Sequence, residues 1–143
     1  MRRFAVSTVL FLVFSFVVSA QNYPRFVAKL ALKNQTTDIP VTTLFTPKLD
    51  GLYRVSTYLV VSIPGGKDNN SGWSGQVLYT DDAGPEIGPN EFVLSLRQGS
   101  NPYGEHQSTI RANAATPVTY SITGQDSGAG GVYEYYVTVE RLE

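Results

Sequence analysis

Apolar and polar residues alternate along most of the chain after residue 25. Side chains that alternate at period two lie on opposite faces of a strand, whereas an amphipathic helix repeats its apolar positions every three or four residues. The longest alternating run, 53–63, places Tyr53, Val55 and Leu59 in one phase and is rich in β-branched and aromatic residues, which are typical of strands. No segment after residue 20 has helical periodicity, so the pattern predicts an all-β protein.

Clusters of glycine, proline, asparagine and aspartate interrupt the alternation and divide the chain into about eight predicted strands. Strands are predicted over 26–32, 41–45, 53–63, 73–80, 91–98 and 106–114, from Pro117 onward, and over 132–142. Long loops are predicted over 64–72, 81–90 and 124–131. Many short strands joined by turns favour a β-sandwich or a β-barrel.

The phase of the alternation predicts which side chains face the core. In the first half of the chain the predicted inward positions are Phe26, Ala28, Leu30, Leu32, Tyr53, Val55, Thr57, Leu59, Val61, Ile63, Trp73, Val77 and Tyr79. In the second half they are Phe92, Leu94, Leu96, Ile110, Ala112, Ala114, Val118, Tyr120, Ile122, Tyr133, Tyr135, Val137 and Val139.

Four large side chains fall in the opposite, solvent-facing phase, at Tyr58, Val60, Leu78 and Tyr136. Scattered apolar residues are ordinary on the surface of a monomer, and others pack under loops. A subunit interface or a ligand platform is the alternative, because tyrosine is enriched in both.

Four segments form a framework that spans most of residues 26–142. The sequence TLFTP at 43–47 is followed by DGLYRV at 50–55, and ATPVTY at 115–120 precedes a closing strand over 133–142. This framework resembles the tumour necrosis factor and complement globular-head superfamily, and the chain from residue 21 is similar to small bacterial and phage-type jelly rolls. Val55 and Thr57 stand where that superfamily is rich in phenylalanine.

The resemblance implies an antiparallel β-sandwich of jelly-roll topology with ten strands, so together with the alternation the chain is expected to have about eight to ten strands. It also implies a compact homotrimer that serves structure or recognition and is not an enzyme. In that superfamily the last strand lies centrally in the inner sheet, near the threefold axis. By this resemblance Tyr136 is the first candidate for a subunit-interface residue and Tyr58 is the second.

The first 20 residues have the pattern of a secretory signal peptide. Arg2 and Arg3 form a basic start, an apolar run covers 4–18, and small residues at 18–20 precede the expected cleavage. A helix needs about 20 apolar residues to span a bilayer, and this run is shorter. The sequence therefore predicts a signal-peptide helix over 1–20 and a single jelly-roll domain over 21–143, secreted to the exterior or the periplasm and free of the membrane.

Composition excludes several kinds of site. The 143 residues include no cysteine and one histidine, so disulfides, zinc-thiolate and iron–sulfur centres, a cysteine nucleophile and a multi-histidine metal centre are ruled out. Without Arg2 and Arg3, 9 basic residues face 12 acidic ones, which argues against nucleic-acid binding. No phosphate loop, dinucleotide fingerprint or zinc motif is present, so no cofactor is expected.

Side chains that could support catalysis are few. His106 has Glu105 beside it and Ser108 nearby, but neighbours on a strand point to opposite faces, so a triad is not expected. Asp81, Asp82 and Glu86 share a predicted loop and provide the paired acids that a glycosidase needs, yet a sandwich of this size lacks a deep cleft. The chain is therefore predicted not to be an enzyme.

The acidic loops and the aromatic residues offer other hypotheses. Calcium could use the acids at 81–86 or at 68–70, but solvated turn residues are the simpler interpretation and no metal site is predicted. Trp73, Tyr79 and Tyr103 are candidate sugar platforms, although a single tryptophan at a strand start more often caps the core. Asn-x-Ser/Thr sequons occur at Asn34 and Asn69.

The leading hypothesis is a secreted, non-enzymatic structural or recognition module that self-associates as a homotrimer. The alternative is a carbohydrate-binding β-sandwich that uses exposed aromatic residues. The sequence does not identify a glycan or protein ligand.

Overall fold

The computed structural model describes residues 24–63, 72–88, 103–125 and 131–143. Within these ranges the chain forms strands β1 Arg25–Gln35, β2 Ile39–Phe45, β3 Gly51–Ile63, β4 Gly72–Asp81, β5 Gly84–Ile87, β6 Tyr103–Ala112, β7 Val118–Gln125 and β8 Val132–Arg141. The predicted leader over 1–20 and the predicted strand over 91–98 lie outside the described residues. The described ranges contain no helix long and apolar enough to cross a membrane.

The strands form two four-stranded sheets. The first sheet has the order β1-β8-β3-β6 and the second has the order β2-β7-β4-β5. All neighbouring strands are antiparallel. Each sheet combines strands from both halves of the chain, which is the strand order of a jelly roll. The predicted all-β sandwich with jelly-roll topology is confirmed.

The core lies between the two sheets and follows the predicted alternation. The fully buried side chains include Val55, Leu59, Val61, Val77, Ile110, Val118, Ile122, Tyr133, Tyr135, Val137 and Val139. Ala28, Leu30, Leu32 and Tyr79 are partly buried and pack against this cluster. Because β8 pairs with β1 on one side and β3 on the other, its inward residues occupy the middle of the first sheet.

Two predicted inward residues face solvent instead. Phe26 is 73% exposed, and Ile63 at the end of β3 is also exposed. A register shift between Phe26 and Ala28 changes the phase, so that Phe26 lies opposite Glu140 while Ala28 lies opposite Val139. An extra residue in one strand reverses the faces beyond it, an effect that simple alternation does not anticipate.

The predicted strand boundaries also differ from the structure, and two of the differences concern β5 and β6. The segment predicted as a loop over 81–90 contains the short strand β5, which pairs with the end of β4. The sixth strand begins at Tyr103, earlier than predicted, and ends at Ala112. Ala114 therefore lies beyond the strand, where its N–H donates a hydrogen bond to Asp50 Oδ1 at 2.6 Å.

Candidate functional site: a tyrosine cluster on the first sheet

The outer face of the first sheet brings three tyrosines together from three strands. Tyr136 on β8 lies directly opposite Tyr58 on β3. Tyr103 on β6 lies opposite Val60, two residues farther along β3 and on the same face. Cross-strand and diagonal neighbours are close enough for aromatic side chains to touch. We call Tyr58, Tyr103 and Tyr136 the tyrosine cluster.

The rings of the tyrosine cluster contact one another around Tyr58. The ring centroids of Tyr58 and Tyr136 are 6.2 Å apart with the planes tilted by 48°. Those of Tyr58 and Tyr103 are 5.8 Å apart with an angle of 30° between the planes. Tyr58 remains 37% exposed and Tyr103 61% exposed. The cluster thus presents a continuous aromatic surface to solvent, with each ring held partly by its neighbours.

The hydroxyl of Tyr136 is engaged with a carboxylate. It donates a hydrogen bond to Glu134 Oε2, two residues earlier on the same face of β8. This bond favours the protonated hydroxyl and, together with partial burial and the negative charge of Glu134, raises the pKa of Tyr136 above its ordinary value. The bond fixes the orientation of the ring through its polar end and leaves the apolar body of the ring available for contact.

Polar and charged side chains border one end of the cluster along the strands. Toward the other end of the sheet, Ser56 lies opposite Thr138 and Gln107 in the same outward phase. Farther along, Arg54 Nη1 forms an ion pair with Glu140 Oε2 at 3.3 Å. An aromatic centre with a polar border is the usual arrangement of a protein interface.

The three aromatic candidates for sugar binding are not brought together. Trp73 is only 7% exposed, and its ring centroid is 4.3 Å from that of Tyr133. It therefore belongs to the core and offers no open face to a sugar. Tyr79 lies on β4 in the second sheet, where burial and the charges of Asp81 and Glu86 raise its pKa. Tyr103 alone of the three joins the tyrosine cluster.

The solvent-phase residues divide between the two sheets. Val60 borders the tyrosine cluster, whereas Leu78 lies on the second sheet opposite Ile87 of β5. Tyr103 lies before the strand predicted over 106–114, and its part in the cluster was missed because β6 begins three residues earlier. The signal that could have found it is the spacing of Tyr103, Glu105 and Gln107, which puts all three side chains on the same outward face if the strand starts at Tyr103.

The groups around His106 do not form a triad. Glu105 is exposed and His106 is partly buried, since they alternate along β6 as expected. Thr57 Oγ1 donates a hydrogen bond to the main-chain oxygen of His106 at 3.3 Å, and this bond fixes the backbone rather than the imidazole. The predicted strand began at His106, whereas the histidine lies inside β6 on the face turned toward the other sheet.

The acidic residues between β4 and β5 have structural contacts. Asp81 Oδ1 accepts a hydrogen bond from the N–H of Ala83 at 2.7 Å and stabilises the turn. Asp82 pairs with Arg111 at 3.0 Å between exposed side chains. Among the described residues no group of three histidine, cysteine or acidic side chains could hold a metal ion. The acidic loop at 68–70 and the sequon at Asn69 lie outside these residues, whereas Asn34 is exposed near the end of β1.

Comparisons with known proteins give structural likeness only. No family model matches the chain, and no curated protein matches it. The infectious bursal disease virus VP2 subviral particle has 14% identity and a TM-score of 0.45, over 82% of this chain and 32% of that chain. Eiger TNF from S. frugiperda has 10% identity and a TM-score of 0.46, over 83% of this chain and 94% of that chain.

A third similar structure is a pentameric capsid protein isolated from metagenomic phage sequences. It has 13% identity and a TM-score of 0.45, over 96% of this chain and 80% of that chain. The chain thus spans 32% of the length of the bursal disease virus protein. At these scores the likeness carries no argument about function, and the jelly-roll assignment rests on the strand order.

Proposed function

We propose that the protein is a secreted, non-enzymatic structural or recognition module that assembles as a homotrimer through the outer face of its first sheet. The observation that carries the proposal is the tyrosine cluster, in which Tyr58 contacts both Tyr103 and Tyr136 on the outer face of the sheet. The resemblance to the tumour necrosis factor and complement superfamily supports a threefold arrangement with β8 nearest the axis.

The chemistry of the cluster suits a contact between subunits. Tyrosine buries a large apolar ring with few rotatable bonds, and its hydroxyl keeps a polar partner when water is excluded. Glu134 already supplies that partner to Tyr136. The polar border formed by Ser56, Thr138 and Gln107 would lie at the rim, where hydrogen bonds to water remain possible.

Light scattering on the purified protein at micromolar concentration tests the assembly. We expect a mass of about three chains, because the resemblance implies a homotrimer and a head-to-tail contact can close into a ring of three copies. A mass of one chain across this concentration range would remove the homotrimer proposal.

Charge substitutions test which face makes the contact. Tyr136→Glu and Tyr58→Glu should convert the trimer to monomers, because each would bury an unpaired carboxylate at the contact. Val41→Glu is the matched control, since Val41 is exposed on β2 in the second sheet and should leave the trimer intact. Circular dichroism of every variant separates loss of assembly from loss of fold. A folded Tyr136→Glu trimer would place the contact elsewhere.

A carbohydrate-binding module is the second candidate function. The nearly parallel rings of Tyr58 and Tyr103 form an exposed pair on which a sugar ring could stack. Specific binding on a glycan array, lost in Tyr103→Ala while the mass in solution is unchanged, would favour this candidate. Trp73→Ala does not discriminate between the two functions because Trp73 belongs to the core.

Secretion and the lack of enzymatic activity are separate parts of the proposal. Expression in a secreting host should yield a product whose intact mass corresponds to a chain starting at Gln21. Retention of residues 1–20 would contradict the proposed cleavage. Turnover of a polysaccharide that depends on Asp81, Asp82 or Glu86 would contradict a non-enzymatic role.

A further inference from the structure

A second region of interest is a cavity of about 300 Å³ at the end of the sandwich where β1 begins and β8 ends. It is lined by three basic side chains and by an apolar wall. The basic residues are Arg25, Lys48 and Arg141, and the wall includes Phe45, Leu49 and Tyr53. We call this the cationic cavity.

The strand register places two of the positive charges next to each other. Arg25 of β1 lies directly opposite Arg141 of β8. Arg141 in turn lies opposite Tyr53 of β3, in the phase that faces the space between the sheets. Like charges at directly opposed positions of an antiparallel pair are destabilising. The strand pairing therefore places two arginines at directly opposed positions, where like charges are unfavourable.

No carboxylate among the lining residues compensates this charge. Arg141 uses its guanidinium on main-chain oxygens, those of Glu143 at 2.5 Å and Asp50 at 3.5 Å. The ion pairs found among the described residues lie elsewhere, at Arg54–Glu140 and Arg111–Asp82. Among the described residues, Arg25 and Lys48 thus line the cavity without an ion pair, in a chain whose formal net charge is −1.

The apolar wall is fixed by local contacts. The rings of Phe45 and Tyr53 are 5.3 Å apart, and the hydroxyl of Tyr53 donates a hydrogen bond to the main-chain oxygen of Leu49 at 2.8 Å. This bond holds the β2–β3 connection, which carries Lys48, against the core. The cavity thus combines a preformed apolar surface with positive charge at its edge.

We propose that the cationic cavity binds a small amphipathic organic anion, a carboxylate attached to a compact apolar group. Arg25 and Lys48 would contact the carboxylate through charge-assisted hydrogen bonds, and the wall formed by Phe45, Leu49 and Tyr53 would cover the apolar part. A volume of about 300 Å³ lies at the lower limit of small-molecule sites, so the ligand is small.

Octanoate is a suitable probe, with three comparison ligands that each lack one feature. Octanol lacks the charge, octylamine reverses it, and acetate lacks the apolar part. Isothermal titration of the purified protein should show binding of octanoate that weakens as salt is added, because the ions screen the charges. The three comparison ligands should bind at least about tenfold more weakly, the loss expected for one missing charged contact.

Two variants connect this binding to the cavity. Arg25→Gln and Lys48→Gln should each weaken octanoate binding about tenfold. Lys29→Gln is the matched control. Lys29 lies on the outer face of β1 opposite Thr138, so this substitution removes one positive charge at a position away from the cavity. In the absence of octanoate, Arg25→Gln should not lower the melting temperature, since it removes a repulsion from Arg141.

Three results would overturn the proposal: no binding of octanoate, equal binding of octanol, or equal weakening by Lys29→Gln and Lys48→Gln. The first would leave the cavity without this ligand class. The second would reduce it to an apolar surface, and the third would indicate a general charge effect. None of these results depends on the oligomeric state, so they are distinct from a failure of the proposed trimer.

Discussion

The two faces of the first sheet use tyrosine in opposite ways. On the inner face Tyr133 and Tyr135 are fully buried and pack against the second sheet. On the outer face Tyr136 contacts Tyr58, and its hydroxyl donates a hydrogen bond to Glu134. Tyr135 and Tyr136 are neighbours in sequence, so residue type does not distinguish their roles. Strand phase alone decides whether a tyrosine stabilises the core or forms a surface.

The largest expected difference between the faces is in the free energy of unfolding. Tyr135→Ala should cost about 3–5 kcal/mol, because truncating a fully buried aromatic side chain leaves a cavity in a close-packed core. Guanidinium denaturation followed by circular dichroism measures this loss. A loss below about 1 kcal/mol would mean that the core around Tyr135 collapses to fill the space.

The matched substitution on the outer face is Tyr136→Ala, one residue along β8. It should leave the unfolding of the separated chain nearly unchanged and should lower the apparent mass in light scattering. Because assembly itself adds to apparent stability, both variants are compared over a dilution series. If the two substitutions destabilised the dilute protein equally, the distinction between the faces would be lost.

Alkaline pH should destabilise the protein through the inner tyrosines. Burial raises the pKa values of Tyr133 and Tyr135 above the ordinary value for tyrosine. In the unfolded chain these hydroxyls ionise near pH 10, so above that pH the folded state holds more protons than the unfolded state. The free energy of unfolding should therefore be steady below about pH 9 and then fall by about 1.4 kcal/mol per pH unit for each tyrosine.

Denaturation curves recorded from about pH 8 to pH 11 measure this slope. In the double variant Tyr133→Phe/Tyr135→Phe the decline should become much shallower, since neither ionisable hydroxyl remains. An unchanged slope in that variant would assign the alkaline loss of stability to other groups.

The distinction between the faces was predictable from sequence, because alternation along β8 already separated Tyr133 and Tyr135 from Tyr136. Other parts of the fold, and the cationic cavity, were not predictable from the sequence. The bulge that turns Phe26 outward depends on pairing with β8, and the short strand β5 has too few residues to show a period. The cationic cavity joins Arg25 and Arg141 from the two ends of the described chain, and only the jelly-roll strand order makes them neighbours.

Removing single hydroxyl groups sharpens the comparison within the inner face. The hydroxyl of Tyr133 donates a hydrogen bond to the main-chain oxygen of Thr37 at 2.8 Å. That of Tyr135 is buried without a hydrogen-bond partner among the described residues. Tyr133→Phe should therefore destabilise the protein by about 1 kcal/mol, whereas Tyr135→Phe should stabilise it by about 1 kcal/mol. Denaturation curves of the two variants give the sign of each change in the free energy of unfolding. If both variants were destabilised, the Tyr135 hydroxyl would have a hydrogen-bond partner.

The smallest expected effect concerns the ion pair on the outer face. Arg54 and Glu140 are 3.3 Å apart, and their side chains are 40% and 21% exposed. Solvent screens a pair of this kind, so Glu140→Gln should change the free energy of unfolding by no more than about 0.5 kcal/mol, and less in high salt. Denaturation at low and high salt measures it. A loss comparable to that of Tyr135→Ala would mean that the outer face contributes to the stability of the single chain as strongly as the core.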